Sequence, residues 1–579
     1  MRSNRRAVRG WIRDRMPERR HLKNDLIAGL PGAIASVPDG MASGVLAGVS
    51  PVHGLYASFA GPLFGGMQTS TKLMVVTTTG ASALAAGSAI ADVPESDRAD
   101  ALVLLTLIAG AVMVAAALLR LGRYTRFVSH SVMTGFLTGI AVNIVLGQLS
   151  DLTGASVSGS VALAKAADLI TNPTRIDWPS LATGVLALLL LVVLARTRVA
   201  LFGSLVALVI PCVLVVVLGW DGVARVADGG AIPTGFPMPQ IPDLGLLSAP
   251  LVGGGFAVAA IILVQGAGVA EAAPNRDGSR SLPDQDFSAQ GVGNLASSLF
   301  GGMPVGGSVG QTAVNDAAGA KGRWGAVFSG IWMLVILVLF SGLVGKVPMP
   351  TLAAVLIVAG IGSIRPAQIR SIISSGPTSI IALVTTFVAT LLLPVTAAVG
   401  IGVALSLLLQ LNQEAVDLRV VRLELDADGR LAEAPVPTEL GDREVMILDV
   451  YGSLFYAGAR TLQVQLPDPG AADSPEVILR LRGRTTLGAT FFKVIAEYAG
   501  RLDAVGGRLY LSGLAPEVLE MWDAERLDSQ GVALEVFSAT PVLGESTMRA
   551  LADAESRLVR RARRSDADGP GGPSGSQEE

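Results

Sequence analysis

Between residues 24 and 412, apolar residues come in runs of roughly 15–25, separated by short polar or charged joints. A helix needs about 20 such residues to cross the hydrocarbon of a bilayer. The runs predict fourteen spans, near 24–48, 51–69, 73–91, 100–119, 127–149, 178–195, 199–219, 251–272, 287–301, 308–320, 324–345, 347–363, 377–393 and 395–412. The third and tenth are short, rich in Gly and Ser or Thr, and begin in extended-looking sequence. After residue 412 the pattern changes. VILRLRG, RLYLSGL and VALEVFS read as core strands, and EVMILDVYGSLFYAGA reads as a β-hairpin or paired strands. GATFFKVIAEYAGRLDA and PEVLEMWDAERL carry helical apolar spacing. This alternation predicts a small mixed α/β layer. The chain therefore divides into a basic arm (1–23), a membrane domain (24–412), a linker (413–435), an α/β domain (436–560) and a disordered tail (561–579).

Composition sharpens the picture. Only 16% of the 579 residues are charged and 51% are hydrophobic, where a soluble domain carries about 25% charge. This excludes a disordered chain, a disulfide scaffold and a basic nucleic-acid binder. Cys212 is the single cysteine, so no intrachain disulfide forms, and three His with one Cys exclude a Cys/His metal cluster. No nucleophile–base set, metal motif or phosphate-binding Gly loop is present, so the reading is neither an enzyme nor a cofactor protein. The N-terminal arm is basic but lacks the apolar core of a signal peptide. With that arm in the cytoplasm, inside loops carry eleven Lys or Arg and outside loops five, as the positive-inside rule requires. An even span count returns the α/β domain to the cytoplasm.

Leu63-Phe64-Gly65-Gly66-Met67 recurs as Leu299-Phe300-Gly301-Gly302-Met303, each copy leading into one of the interrupted spans. The copies lie seven spans apart, an odd number, which implies two halves inverted in the membrane. Paired interrupted spans in inverted halves point to a binding site at the midplane. Helices that begin there present free N–H groups and the positive end of the helix dipole, an anion site that needs little side-chain charge. One such start falls at Thr77, Thr78, Thr79 and Gly80, the other at Gly307, Ser308, Val309 and Gly310. Small residues at these positions also suit plain helix packing. Asp39 interrupts the first span in SVPDGMASG, beside a helix break; a charge in hydrocarbon is costly, so it either faces a functional cavity or is a structural carboxylate satisfied by Ser and backbone partners. Gln265, mid-way along the eighth span, is either a site ligand or helix–helix glue. Glu271 and Asp316 lie near span ends, and Lys72 and His53 in predicted loops.

Residues 25–73 and GNLASSLFGGMPVGGSVGQTAVN, residues 293–315, resemble the SulP family of sulfate permeases and inorganic-anion transporters. Pro51, Gly54, Leu55 and Tyr56 stand where the family's P-x-x-G-L-Y falls. The resemblance implies seven plus seven inverted spans in core and gate domains, substrate between the third and tenth half-helices with Tyr56 among its contacts, elevator-type movement and a homodimer. Three positions depart from the family pattern. Asp39 stands where the first span usually has Gln, Gln265 where the eighth is usually acidic, and Gln311 where many relatives have Arg. The departures leave Asp39 as the acid to bind H⁺ or Na⁺, and favour a monoanion such as bicarbonate, or an anion bound with a cation. The C-terminal domain resembles STAS domains, with SLFYAG (453–458) at the first buried strand. Gly488-Ala489 replaces that domain's Asp-Ser pair, leaving Thr490 as the neighbouring hydroxyl after Thr485 and Thr486. The expected function is secondary active transport of a sulfate- or bicarbonate-class anion across the plasma membrane, coupled to H⁺ or Na⁺. An uncoupled channel-like conductor on the same fold is the alternative.

Overall fold

The structure, a computed structural model, describes Met16 and residues 21–567 except 128, 160, 198–201, 230–235, 394–396, 399, 403, 406, 410–417, 426–430, 484–486 and 516–533. The chain divides into two compact units, Met1–Leu407 and Leu408–Glu579.

The first unit is helical. In chain order it runs α1 Leu22–Leu46, α2 Pro51–Ala60, β1 Val76–Thr77, α3 Gly80–Ala89, α4 Arg98–Leu118, α5 His130–Gly147, α6 Leu149–Thr153, α7 Ala162–Thr171, α8 Trp178–Leu194 and α9 Gly203–Val217. It continues with α10 Ala249–Ala272, α11 Pro283–Leu299, β2 Gly306–Gly307, α12 Val309–Ala317, α13 Trp324–Val344, α14 Met349–Ser363, α15 Pro366–Ser374 and α16 Pro377–Leu392. Each of the first thirteen apolar runs holds a helix. Part of the fourteenth run falls outside the described residues. By length and composition, four helical stretches among the described residues are long and apolar enough to cross a membrane: Glu95–Leu118, His130–Thr153, Ala249–Ala272 and Met349–Ser374. Other apolar helices, such as Trp178–Leu194 and Pro377–Leu392, are shorter. The short helices α7 and α15 lie outside the predicted spans, because Lys165, Asp168 and Arg370 break the apolar pattern there.

Close backbone contact sets the packing. A Cβ on Gly54 would lie 1.8 Å from the Gly40 carbonyl oxygen, so α1 and α2 cross with only hydrogens between their backbones. Contrary to expectation, α1 does not break at Asp39. Pro38 lies inside the helix, and the Asp39 carbonyl accepts from Ser43 Oγ at 2.7 Å. A proline mid-helix removes one N–H and kinks the axis without ending it when neighbours hold the turn. His53, expected in a loop, sits in α2 with Nδ1 2.6 Å from the Gly301 carbonyl oxygen. α11 packs on α4 and α13 on α1, while α16 packs on α5 and α14 on α8. The helices thus sort into two groups. The larger apolar core gathers Met41, Leu55, Phe59, Met74 and Ile262, and a second gathers Leu152, Leu191, Ala207 and Ala354.

The second unit is a six-stranded sheet with helices on both faces. Its elements are β3 Arg419–Leu425, β4 Leu431–Ala434, β5 Val445–Tyr451, α17 Tyr456–Gln465, β6 Glu476–Arg480, α18 Ala489–Ala504, β7 Arg508–Leu514, β8 Leu534–Ser538 and α19 Glu545–Ala567. Strand order is β4-β3-β5-β6-β7-β8, with β5 through β8 parallel and the β4-β3-β5 edge antiparallel. Alternate residues serve the two faces. Met446, Leu448 and Leu479 join Phe491 and Tyr498 of α18, while Ile447, Ile478 and Tyr510 join Ala550 and Ala554 of α19.

Three expectations for this unit change. The segment 413–435 carries β3 and β4, because Val420 and Leu423 of RVVRLEL bury on opposite faces. EVMILDVYGSLFYAGA is one strand and one helix. Gly452, at φ 90°, ends β5, and SLFYAG forms the turn and the start of α17. α19 runs into the expected tail as far as Ala567, and Arg561 donates to Ser474 Oγ at 2.7 Å. Gly488 is the N-cap of α18, followed by Ala489 and Thr490. Thr485, Thr486 and the whole of PEVLEMWDAERL lie outside the described residues.

Candidate functional site

The two interrupted spans meet. β1 and β2 pair antiparallel, Val76 with Gly307 and Thr77 with Gly306. Because the strands run oppositely, α3 and α12 leave the crossing in opposite directions with their N-termini turned toward it. Each start is capped alike. Thr79 Oγ1 accepts from the Ser82 N–H at 3.1 Å, and Ser308 Oγ accepts from the Gln311 N–H at 3.3 Å. The N–H groups of Gly80 and Ala81, and of Val309 and Gly310, have no acceptor inside their helices. Neutral dipoles of this kind attract an anion without a buried cation.

Polar side chains close around the crossing. Thr77, Thr78 and Thr79 are buried. Thr79 Oγ1 also donates to Gln265 Oε1 at 3.2 Å, which brings the eighth span to the site. Ser58 Oγ lies 3.4 Å from Thr78 Oγ1. From α1, the half-buried Asp39 accepts a 2.6 Å hydrogen bond from Gln311 Nε2. Two buried oxygens, Thr77 Oγ1 and Gln311 Oε1, have no protein partner. Gly307 contributes room rather than a donor. Its N–H donates to Gln290 Oε1 at 3.0 Å, and a Cβ there would meet Gly266 Cα and Met74 Sδ, each at 3.2 Å. Val309 is exposed at the start of α12. Tyr56 packs edge-on against Phe59 and lies beside Gly301, and none of these hydrogen bonds reaches it.

The scaffold of the crossing escaped the sequence reading. Asn294 takes the N–H and carbonyl of Val305 at 2.9 and 2.7 Å. Ser297 Oγ donates to the Met303 carbonyl, and Ser82 Oγ to that of Pro304. On the other strand, Thr312 Oγ1 accepts from the Val75 N–H and Asn315 Nδ2 donates to the Leu73 carbonyl. Asp286 accepts from Ser70 N–H, Thr71 N–H and Thr71 Oγ1, anchoring the chain that leads to β1. A signal existed. Asp286, Gln290, Asn294 and Ser297 recur at helical spacing, a polar stripe that enters the ninth apolar run from its first edge. Outside the spans, Lys72 pairs with Asp277, and its hydrogen bond, helped by those of Ser279, holds that carboxyl at about 2. Arg276 pairs with Asp316 at the end of α12. Among the described residues no cluster of His, Cys, Asp and Glu suits a metal ion.

The profile of the sulfate permease family matches residues 22–389. The chain belongs to the sulfate permease family. A Mycobacterium tuberculosis protein named a probable sulfate transporter is 29% identical over 414 residues, 70% of this chain and 73% of that one. Among solved structures, SLC26A9 superposes with a TM-score of 0.82 at 18% identity, covering 96% of this chain and 93% of that one. The transmembrane domain of the cyanobacterial bicarbonate transporter BicA superposes with a TM-score of 0.59 at 21% identity, covering 66% of this chain and 99% of that one. The chain is a multi-pass membrane protein of a family of anion transporters, not of enzymes. Its C-terminal sheet unit is consistent with a STAS domain.

Proposed function

We propose that the protein is a secondary active transporter of a small inorganic anion of the sulfate or bicarbonate class, driven by a co-bound H⁺ or Na⁺. The carrying observation is the crossing itself: two capped helix starts, β1 paired with β2, and one carboxylate, Asp39, bonded to the first turn of α12. The anion binds at the free N–H groups of Gly80, Ala81, Val309 and Gly310, with Thr77, Thr78, Thr79, Gln265 and Ser308 around it and Tyr56 at the periphery. Asp39 and the partnerless Gln311 Oε1 supply oxygen donors that fit a proton or a sodium ion. A bound cation offsets the carboxylate charge, so anion and cation stabilise each other's binding. Sulfate or bicarbonate as substrate draws on the names of the similar proteins. The two helix groups suit a core that moves against a gate in an elevator manner, in a homodimer of the plasma membrane with the N-terminal arm and the sheet unit in the cytoplasm.

Uptake into proteoliposomes tests this. Sulfate and bicarbonate are each supplied with and without a Na⁺ gradient and a pH step. Accumulation of either against its gradient, dependent on one cation, supports the proposal. Flux that follows the anion gradient alone sinks the coupling and favours the conductor.

A further inference from the structure

The two helix starts are not equally open. Val309 and Gly310 are exposed, whereas Gly80 is half-buried. The cover comes from α5. A Cβ placed on Gly80 would lie 2.7 Å from Ile144 Cδ1, and Ile144 is 5% exposed.

A different face of α5 fixes this orientation. A Cβ on Gly135 or Gly139 would meet the Leu383 carbonyl or the Thr390 side chain of α16 at 2.3 and 2.6 Å, so these glycines permit close approach. Asn143 Nδ2 donates to the Thr390 carbonyl at 3.2 Å. From α14, Gly360 admits Val145 and the Ala141 carbonyl in the same way. That leaves Phe136, Ile140 and Ile144, one stripe at i, i+4 and i+8, packed into the cluster that holds Met41, Ala81 and Val305. Ile144 is the member that reaches the helix start. An apolar methyl packed on the first residue of α3 leaves no room for water on that side and offers no hydrogen bond.

We propose that Ile144 is the apolar gate of the site, covering the α3 start in this conformation and setting how large an anion passes between it and Gly80. The proposal rests on the reading of these helix starts as anion donors. Apolar constrictions control passage by excluding water, and side-chain length sets the clearance.

Valine differs from isoleucine by Cδ1, the atom over Gly80, so the contact can be tested by compensation in the full-length protein. The probes are radiolabelled sulfate, bicarbonate and the larger monoanion gluconate, supplied to proteoliposomes. Gly80→Ala sets a methyl against Cδ1 and lowers initial rates for sulfate or bicarbonate about tenfold. Gly80→Ala with Ile144→Val removes the opposing atom and recovers most of the loss. Ile144→Ala raises the gluconate rate relative to bicarbonate about tenfold. If Ile144 only filled space, Ile144→Ala would lower all three anions in proportion to lost stability and leave the gluconate-to-bicarbonate ratio unchanged, while recovery in the double variant would report the contact alone. That result overturns the gate. If the wild type moves none of the three probes, the anion site itself falls.

Discussion

Gln311 holds Asp39. The amide donates to the carboxylate at 2.6 Å and joins the middle of α1 to the first turn of α12. Asp39 therefore sits at the positive end of a half-helix, where an anion would compete with it. Asp39→Asn keeps a hydrogen-bonding group of the same size and removes the charge that binds a cation. We predict normal expression and gel-filtration behaviour, retained exchange of labelled anion across the membrane, and loss of uphill accumulation. Accumulation to wild-type level would show that Asp39 does not couple.

Asn294 serves β2 as both donor and acceptor from a fully buried position. Asn294→Leu leaves the Val305 N–H and carbonyl without their partners, at about 1–3 kcal/mol each. The detergent-solubilised protein should melt several degrees lower, and anion affinity should fall because β2 positions the α12 start. Asn294→Asp keeps the acceptor and should lie between. Equal melting of all three proteins would mean that β2 is held by its pairing with β1.

Gly54 and Gly362 are both helical glycines with opposite surroundings. A Cβ on Gly54 meets the Gly40 carbonyl at 1.8 Å, whereas one on Gly362 meets nothing within 4 Å. Gly54→Ala must push α1 and α2 apart, an overpacking cost of about 1–3 kcal/mol or more. Gly362→Ala should instead gain about 0.5–1 kcal/mol of helix preference. Thermal aggregation profiles of the two variants should therefore shift in opposite directions.

Glu476 is 0% exposed in β6 and is met by Arg557 from α19. Burial raises its carboxyl from 4.5 to about 6, with Arg557 pulling the other way. Arg508 and Tyr510 of β7 and Asp553 of α19 complete the surrounding charge. A carboxyl raised in the folded state binds its proton more tightly there. Its stabilisation is full below about pH 4.5 and is lost as pH rises through about 6. We predict that moving from about pH 7.5 to about pH 5 strengthens the sheet unit by about 1–2 kcal/mol through this group. Thermal unfolding of full-length wild type and Glu476→Gln across that range checks it, since the variant should lack this part of the pH dependence. An identical dependence in both would assign it to other groups.

The chain by itself determined which solvent each segment uses. Apolar run length predicted the first thirteen helical positions, because a span must bury its backbone polar groups within one helix whatever its neighbours are. Glycine and hydroxyl content marked the two interrupted spans for the same local reason: Thr79 and Ser308 cap the helices that follow them. Tertiary structure alone decided how those helix starts are served. The pairing of Val76 with Gly307, the bond from Gln311 to Asp39 and the cover of Ile144 over Gly80 join residues 231, 272 and 64 positions apart. No local periodicity encodes such distances. They arise because glycines let particular helices approach until one side chain fits, and that fit exists only once the helices have packed.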